Sequence, residues 1–163
     1  MSRPNAFIAQ FPEPAPDAPR GYAAQEVPYG EAAGGKQLHV RLYEIPPGEN
    51  LCPYHYEYSE EWLIVMTGDI QVRTPAGTEP ATAGDVICFP VGPDGAHKVF
   101  NSSEASARVV MFSNASDPEV CVYPDSDKVG VWAGDKRDHS NHWMFRGATG
   151  NLEYFDGELS ADQ

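Results

Sequence analysis

Glycine and proline decide most of what this chain can fold into. Fifteen of each are scattered through 163 residues, so few stretches are long enough for an uninterrupted helix. Between them lie short runs rich in Val, Ile, Tyr, Phe and Thr. That is the pattern of many short strands closing into a sandwich or barrel. Residues 36–45 (KQLHVRLYEI) alternate. Leu38, Val40 and Leu42 share one face and His39, Arg41 and Tyr43 the other, which predicts a half-buried strand with its aliphatic face inward. Further strands are expected at 61–66, 70–74, 86–90, 97–101 and 107–113, with a tight hairpin from Thr67 to Pro80 and a turn between the last two. Residues 1–20 read as a Pro-rich arm, either loosely docked or swapped across a dimer. The tail 132–163 is polar with apolar anchors Trp132, Trp143, Phe145, Tyr154 and Phe155, and is expected to wrap the outside of the barrel.

Composition bounds the partners. The net charge is −13 and the pI is near 4.6, which argues against nucleic acid and against anionic membrane surfaces. The longest apolar run is Trp62 to Met66, far short of the roughly 20 residues a membrane helix needs. The N-terminal segment has no continuous apolar stretch of the signal-peptide kind. Three cysteines (Cys52, Cys88, Cys121) without CxxC spacing suit reduced thiols in the cytoplasm, while leaving a single disulfide open.

The chemistry concentrates in 48–68, GENLCPYHYEYSEEWLIVMTG. His55 and Glu57 are two apart and so share a strand face. Glu61 opens the next strand. A second group runs from Gly84 through Pro90 and Gly92 to His97 and Asn101. Imidazoles and carboxylates converging from two strand pairs suit a divalent transition metal: Fe, Mn, Ni, Cu or Zn.

These residues read Gly48-x6-His55-x-Glu57-x3-Glu61-x6-Gly68 and Gly84-x5-Pro90-x-Gly92-x4-His97-x3-Asn101. They resemble the two motifs of the cupins, in particular small single-domain bacterial cupins. Glu57 stands where that family usually has its second histidine. One extra residue precedes His55, and two extra residues lie between Gly92 and His97. The resemblance implies an all-β double-stranded β-helix, a jelly-roll barrel, over 36–115. Residues 1–35 would be the arm and first edge segment, and 116–163 an extension packed on the barrel. It also implies a metal held by His55, Glu57, Glu61 and His97, with Glu61 able to detach as a catalytic base, and a homodimer.

Electrostatics favours an ion there. Two carboxylates about 4 Å apart repel by roughly 4 kcal/mol at an effective dielectric near 20. Without a cation, one of them must take up a proton. The competing reading leaves Glu57 exposed at the barrel mouth and the site vestigial.

Other residues have plainer readings. Glu60 is a solvated edge charge. His39 points away from the core as a surface or interface residue. His139 and His142 are spaced for a metal pair, but on a loop-like tail. Tyr54, Tyr56 and Tyr58 cover the face opposite His55 and Glu57. Cys88 is a buried inert thiol, and Asn101 is a structural hydrogen-bonder. Leu63, Val65 and either Phe100 or Val99 are candidates to touch substrate. Two functions remain. One is a metal-dependent enzyme acting on a small oxygenated metabolite, by oxygenase, isomerase or lyase chemistry. The other is a non-catalytic module that binds or senses a small ligand or the metal itself.

Overall fold

A computed structural model of the chain describes residues 3–14, 16, 18–134, 139–147, 152 and 156. Its strands are β1 (Gln25–Val27), β2 (Leu38–Ile45), β3 (Tyr56–Glu57), β4 (Glu61–Thr67), β5 (Asp69–Thr74) and β6 (Gly77–Thr82). They continue with β7 (Val86–Phe89), β8 (Lys98–Phe100), β9 (Ala107–Asn114), β10 (Glu119–Tyr123), β11 (Lys128–Trp132) and β12 (His142–Arg146). One short helix, α1 (Tyr29–Ala32), follows β1. Every pairing is antiparallel. The sheets run β1-β2-β9-β4-β7, β12-β11-β10-β3 and β6-β5-β8. The double-stranded β-helix implied by the two motifs is the observed fold.

The hairpin expected from Thr67 to Pro80 is β5–β6, turning at Pro75-Ala76 with Thr74 opposite Gly77. Gly68 sends the chain from β4 into a different sheet. Its φ is +77° and a Cβ there would sit 2.9 Å from the Ala107 backbone, so glycine is required both by conformation and by space. Strands β8 and β9 follow one another in sequence but do not pair. β8 joins β5, while β9 lies between β2 and β4. The turn between them is organised by Asn101, whose Nδ2 donates to the carbonyls of Ile45 (2.8 Å) and Ala105 (2.7 Å). Its Oδ1 accepts from the Ser103 amide. The structural reading of Asn101 is thus what the geometry gives.

The apolar core draws on two sheets. Ile45, Leu63, Val65, Phe89, Ala107, Val109 and Met111 come from the five-stranded sheet, and Ile70, Val72, Ala81 and Val99 from the three-stranded one. Leu63, Val65 and Val99 are core side chains fully shielded from solvent.

The alternation of β2 is observed with both faces covered, Leu42 on the aliphatic face being fully buried. His39, Arg41 and Tyr43 line an interior cavity, whereas Leu38 is exposed and Val40 lies against Gly30 of α1. Period-two patterning shows that two faces differ. Here a polar cavity, not solvent, is what the polar face looks into.

After β9 the chain continues as β10, β11 and β12, and β10 pairs with β3. Trp143 and Phe145, expected as packed anchors, are exposed on β12. Tyr154 and Phe155 lie outside the described residues. No helix among the described residues is long and apolar enough to cross a membrane.

Candidate metal centre

The ends of β3 and β8 meet at one point. The His55 amide donates to the His97 carbonyl at 3.0 Å, and the His97 amide donates to the His55 carbonyl at 2.7 Å. This bridge stitches the β3 sheet to the β8 sheet and sets both imidazoles side by side, with ring centroids 4.6 Å apart. The insertion between Gly92 and His97 forms a 3-10 turn, Pro93–Gly95. The Gly95 α-carbon sits so close to the Pro90 carbonyl that no side chain would fit. That turn delivers His97 to the interior, where its ring stacks on Phe89 with centroids 3.6 Å apart.

Both histidines are held in one tautomer. Nδ1 of His55 lies 2.9 Å from the Pro53 carbonyl, and Nδ1 of His97 lies 2.9 Å from the Gly95 carbonyl. A carbonyl can only accept, so each Nδ1 carries the proton and each Nε2 presents a lone pair. Those lone pairs converge on carboxylates. His55 Nε2 is 3.7 Å from Glu57 Oε1 and 3.8 Å from Glu61 Oε2, and His97 Nε2 is 3.6 Å from Glu61 Oε2. These separations are too long for hydrogen bonds. They approach the ~3.0–3.4 Å kept by neighbouring donors that each lie about 2.1 Å from one shared ion. His97 Nε2 is fully buried and has no hydrogen-bond partner, a cost that a bound cation would remove.

Charge states agree with that arrangement. Burial, and then the neighbouring His55 ring, push His97 down to about 3. Burial also lowers His55. Both rings are therefore neutral near pH 7, the form that ligates metals. The four residues named from the sequence, His55, Glu57, Glu61 and His97, are thus brought together. The donor set fits a divalent transition ion.

A cavity of about 190 Å³ opens beside them. It is lined by His39, Arg41, Tyr43, Leu51, Cys52, His55, Glu57, Glu61, Met111, Phe112, Ser113 and Glu119. Arg41 is fixed by an ion pair with Glu26 at 2.6 Å. Burial drives the Tyr43 hydroxyl far above its ordinary range, so it stays a neutral donor.

Sequence reasoning missed several of these groups. Glu119 is buried and belongs to β10. It sits close enough to His55 to favour that ring's charged form. Cys52 lies in the irregular stretch before His55, where no periodicity assigns a direction. Cys121 sits opposite Glu57 in the β10–β3 ladder. Each thiol lies near the cluster: Sγ of Cys52 is within 4.8 Å of ring nitrogens of His55 and His97, and Sγ of Cys121 is within 4.8 Å of donor atoms of His55 and Glu57. Burial pushes the Cys52 thiol up to about 12 and raises the Cys121 thiol too.

Three sequence readings need correction. His39 is half-buried and lines the cavity, because the polar face of β2 looks inward. Cys88 is exposed, because the inward positions of β7 are Ile87 and Phe89. Leu63, Val65 and Val99 pack the core, and the cavity is reached instead from β2, β9 and the segment around Leu51. Glu60 is exposed as expected and accepts from Trp62 Nε1 at 2.7 Å. His142 opens β12, but the side chain of His139 lies outside the described residues.

Comparison with known proteins gives a consistent picture. Residues 41–113 match a family model described as a cupin domain. Protein SchB of Streptomyces halstedii is 26% identical over 110 residues, covering 68% of this chain and 78% of its own. Among solved structures, a sugar phosphate isomerase of the cupin superfamily from Silicibacter pomeroyi superposes with a TM-score of 0.75 at 21% identity, covering 98% of this chain and 97% of its own. The polyketide cyclase RemF from Streptomyces resistomycificus superposes with a TM-score of 0.57 at 17% identity, over 71% of this chain and 80% of its own.

Proposed function

Starting from a chain that carries a cupin domain, we propose that it is a metal-dependent enzyme acting on a small oxygenated metabolite. The observation that carries this reading is the convergence of two tautomerically fixed Nε2 lone pairs with two carboxylates beside a polar cavity. His55, Glu57, Glu61 and His97 would hold one divalent transition ion, which, when bound, acts as a Lewis acid toward a substrate oxygen.

The chain's own residues supply the rest. Arg41, paired with Glu26, donates a remaining guanidinium N–H to an oxygen of a substrate seated in the cavity, and the Tyr43 hydroxyl, engaged with the same carboxylate, helps to line it. The carbonyls of Pro53 and Gly95 lock the ring orientations, so the lone pairs need no reorganisation. Glu61 is the base: the carboxylate oxygen not engaged in holding the ion would take a proton from a carbon or hydroxyl of the substrate and return it at a neighbouring position. That step is an isomerisation with no net redox change. Isomerase chemistry is favoured over the oxygenase and lyase alternatives by the names of the similar proteins, an isomerase and a cyclase.

A non-catalytic role in binding or sensing the metal itself has one observation on its side. The cavity, at about 190 Å³, is small beside the ~300–1,000 Å³ of typical ligand sites. We further propose that the chain pairs with a second copy, consistent with the exposed Trp143, Met144 and Phe145 on the edge strand β12. The three free cysteines suit a reducing, cytoplasmic setting.

The test is metal content by inductively coupled plasma mass spectrometry, on protein purified without chelator or added metal, beside His55→Ala. About one transition ion per chain, absent from the variant, is the expected result. No ion in either protein, and no uptake on titration, removes the metalloenzyme.

A further inference from the structure

We propose that Cys52 is a sulfur ligand of the same centre, so that the cluster presents a mixed nitrogen, oxygen and sulfur donor set selective for a thiophilic ion such as Zn²⁺ or Co²⁺. This rests on the metal-centre reading above. It concerns a residue outside the four that the sequence motifs supply.

Two observations carry it independently. The Cys52 sulfur, a nitrogen of His55 and a nitrogen of His97 all lie within 4.8 Å of one another. The second is His97 Nε2, buried to within 1% of complete exclusion from solvent and without a hydrogen-bond partner. A lone pair enclosed in that way points to a cation, and Cys52 is the thiol that flanks both rings. Cys121 also comes within 4.8 Å of the cluster, but only beside His55 and Glu57. Its sulfur is engaged with the Tyr123 hydroxyl, and Cys52, not Cys121, lines the cavity.

One main-chain contact on the Cys52 side suits a ligand sulfur. The main chain of Val99 hydrogen-bonds the sulfur, and a backbone amide donated to a ligand sulfur lowers its charge density. With no ion present, burial and the facing Glu57 and Glu61 keep the thiol protonated. Ligation therefore forms an M–S bond, breaks the S–H bond and releases one proton to solvent, with no change of oxidation state. Soft sulfur donors favour Zn²⁺ and Co²⁺ over Mn²⁺ or Mg²⁺, which carboxylates alone would accept.

The experiment is Co²⁺ loading of the full chain, with bound cobalt quantified by mass spectrometry and the near-ultraviolet spectrum recorded. Wild type, Cys52→Ser and Cys121→Ser are compared. The proposal expects a thiolate-to-cobalt charge-transfer band in wild type and in Cys121→Ser, and its loss in Cys52→Ser. It also expects the preference for Zn²⁺ over Mn²⁺ to fall by more than about tenfold in Cys52→Ser, the least that losing even an outer partner costs. Bound cobalt without the band in wild type overturns the sulfur ligand and leaves the metal centre standing. The band surviving in Cys52→Ser but vanishing in Cys121→Ser also overturns it, in favour of Cys121. Failure of wild type to bind any cobalt, zinc or manganese overturns this proposal and the metal centre together. Circular dichroism of the apo proteins separates misfolding from ligand loss. Should Cys52→Ser not fold, Cys52→Ala gives the same readout.

Discussion

The two ends of the barrel interior are built from the same strands and could hardly differ more. β4 begins with Glu61 at the cluster, and two and four residues later places Leu63 and Val65 in the dry core. β2 runs the same way, from His39 and Arg41 on the cavity through Tyr43 to Ile45 in the core. β9 leads from Ala107 and Val109 to Met111, which touches both regions. Stability and chemistry are therefore divided along each strand, not between strands. The apolar end excludes water by burying hydrocarbon. The polar end keeps polar groups poised, at a cost that folding at the other end offsets.

Substitutions at either end should separate the two. The largest effect on stability is expected at Leu63, fully buried in the core. Leu63→Ala should cost ~2–5 kcal/mol in urea denaturation, while the folded fraction still binds metal. His97→Ala should do the reverse in kind: metal uptake by titration calorimetry disappears, and apo stability changes by less than in Leu63→Ala. Equal losses of stability in the two variants would break the division.

Asn101 sits between these extremes. Asn101→Ala leaves the buried Ile45 carbonyl without its donor, which should cost about 1–3 kcal/mol without altering metal stoichiometry. Thermal melts of apo and loaded protein check both halves of that statement.

The most gradual effect is that of pH. His97 is lowered to about 3 and His55 is lowered as well, against about 6.5 in an unfolded chain. Below that value the unfolded state binds more protons than the folded one. These rings therefore contribute stability that is present above pH ~6.5 and is lost as pH falls toward 3. Apo protein should show a falling midpoint of denaturation across that window. Loaded protein should fall more steeply, because protons also displace the ion. A flat apo profile from pH 6.5 to 4 would mean that both rings are charged in the fold.

How far the sequence speaks follows from the same division. His55, Glu57, Glu61 and His97 were legible because fixed spacings on strands and turns bring them together, and the two departures from the motif spacing cost nothing. Glu57, in the position usual for histidine, still faces the cluster, 3.7 Å from His55 Nε2. What could not be read was the inside of the cavity. Alternation in β2 distinguishes two faces but not which one looks into the barrel. Cys52 lies where the chain has no regular period. Glu119 reaches the site through β10, a strand whose pairing with β3 spans more than sixty residues of sequence and leaves no local trace.

The main-chain bridge between His55 and His97 bears on how such a site can change over generations. The gap between the two rings is written in peptide groups, at 3.0 and 2.7 Å, and no replacement of a neighbouring side chain edits a peptide group. Replacing the third and fourth donors, Glu57 and Glu61, would change the preferred ion while leaving the backbone that carries the paired imidazoles where it is. The spacing of the site is thus set by main chain on one side and by side chains on the other.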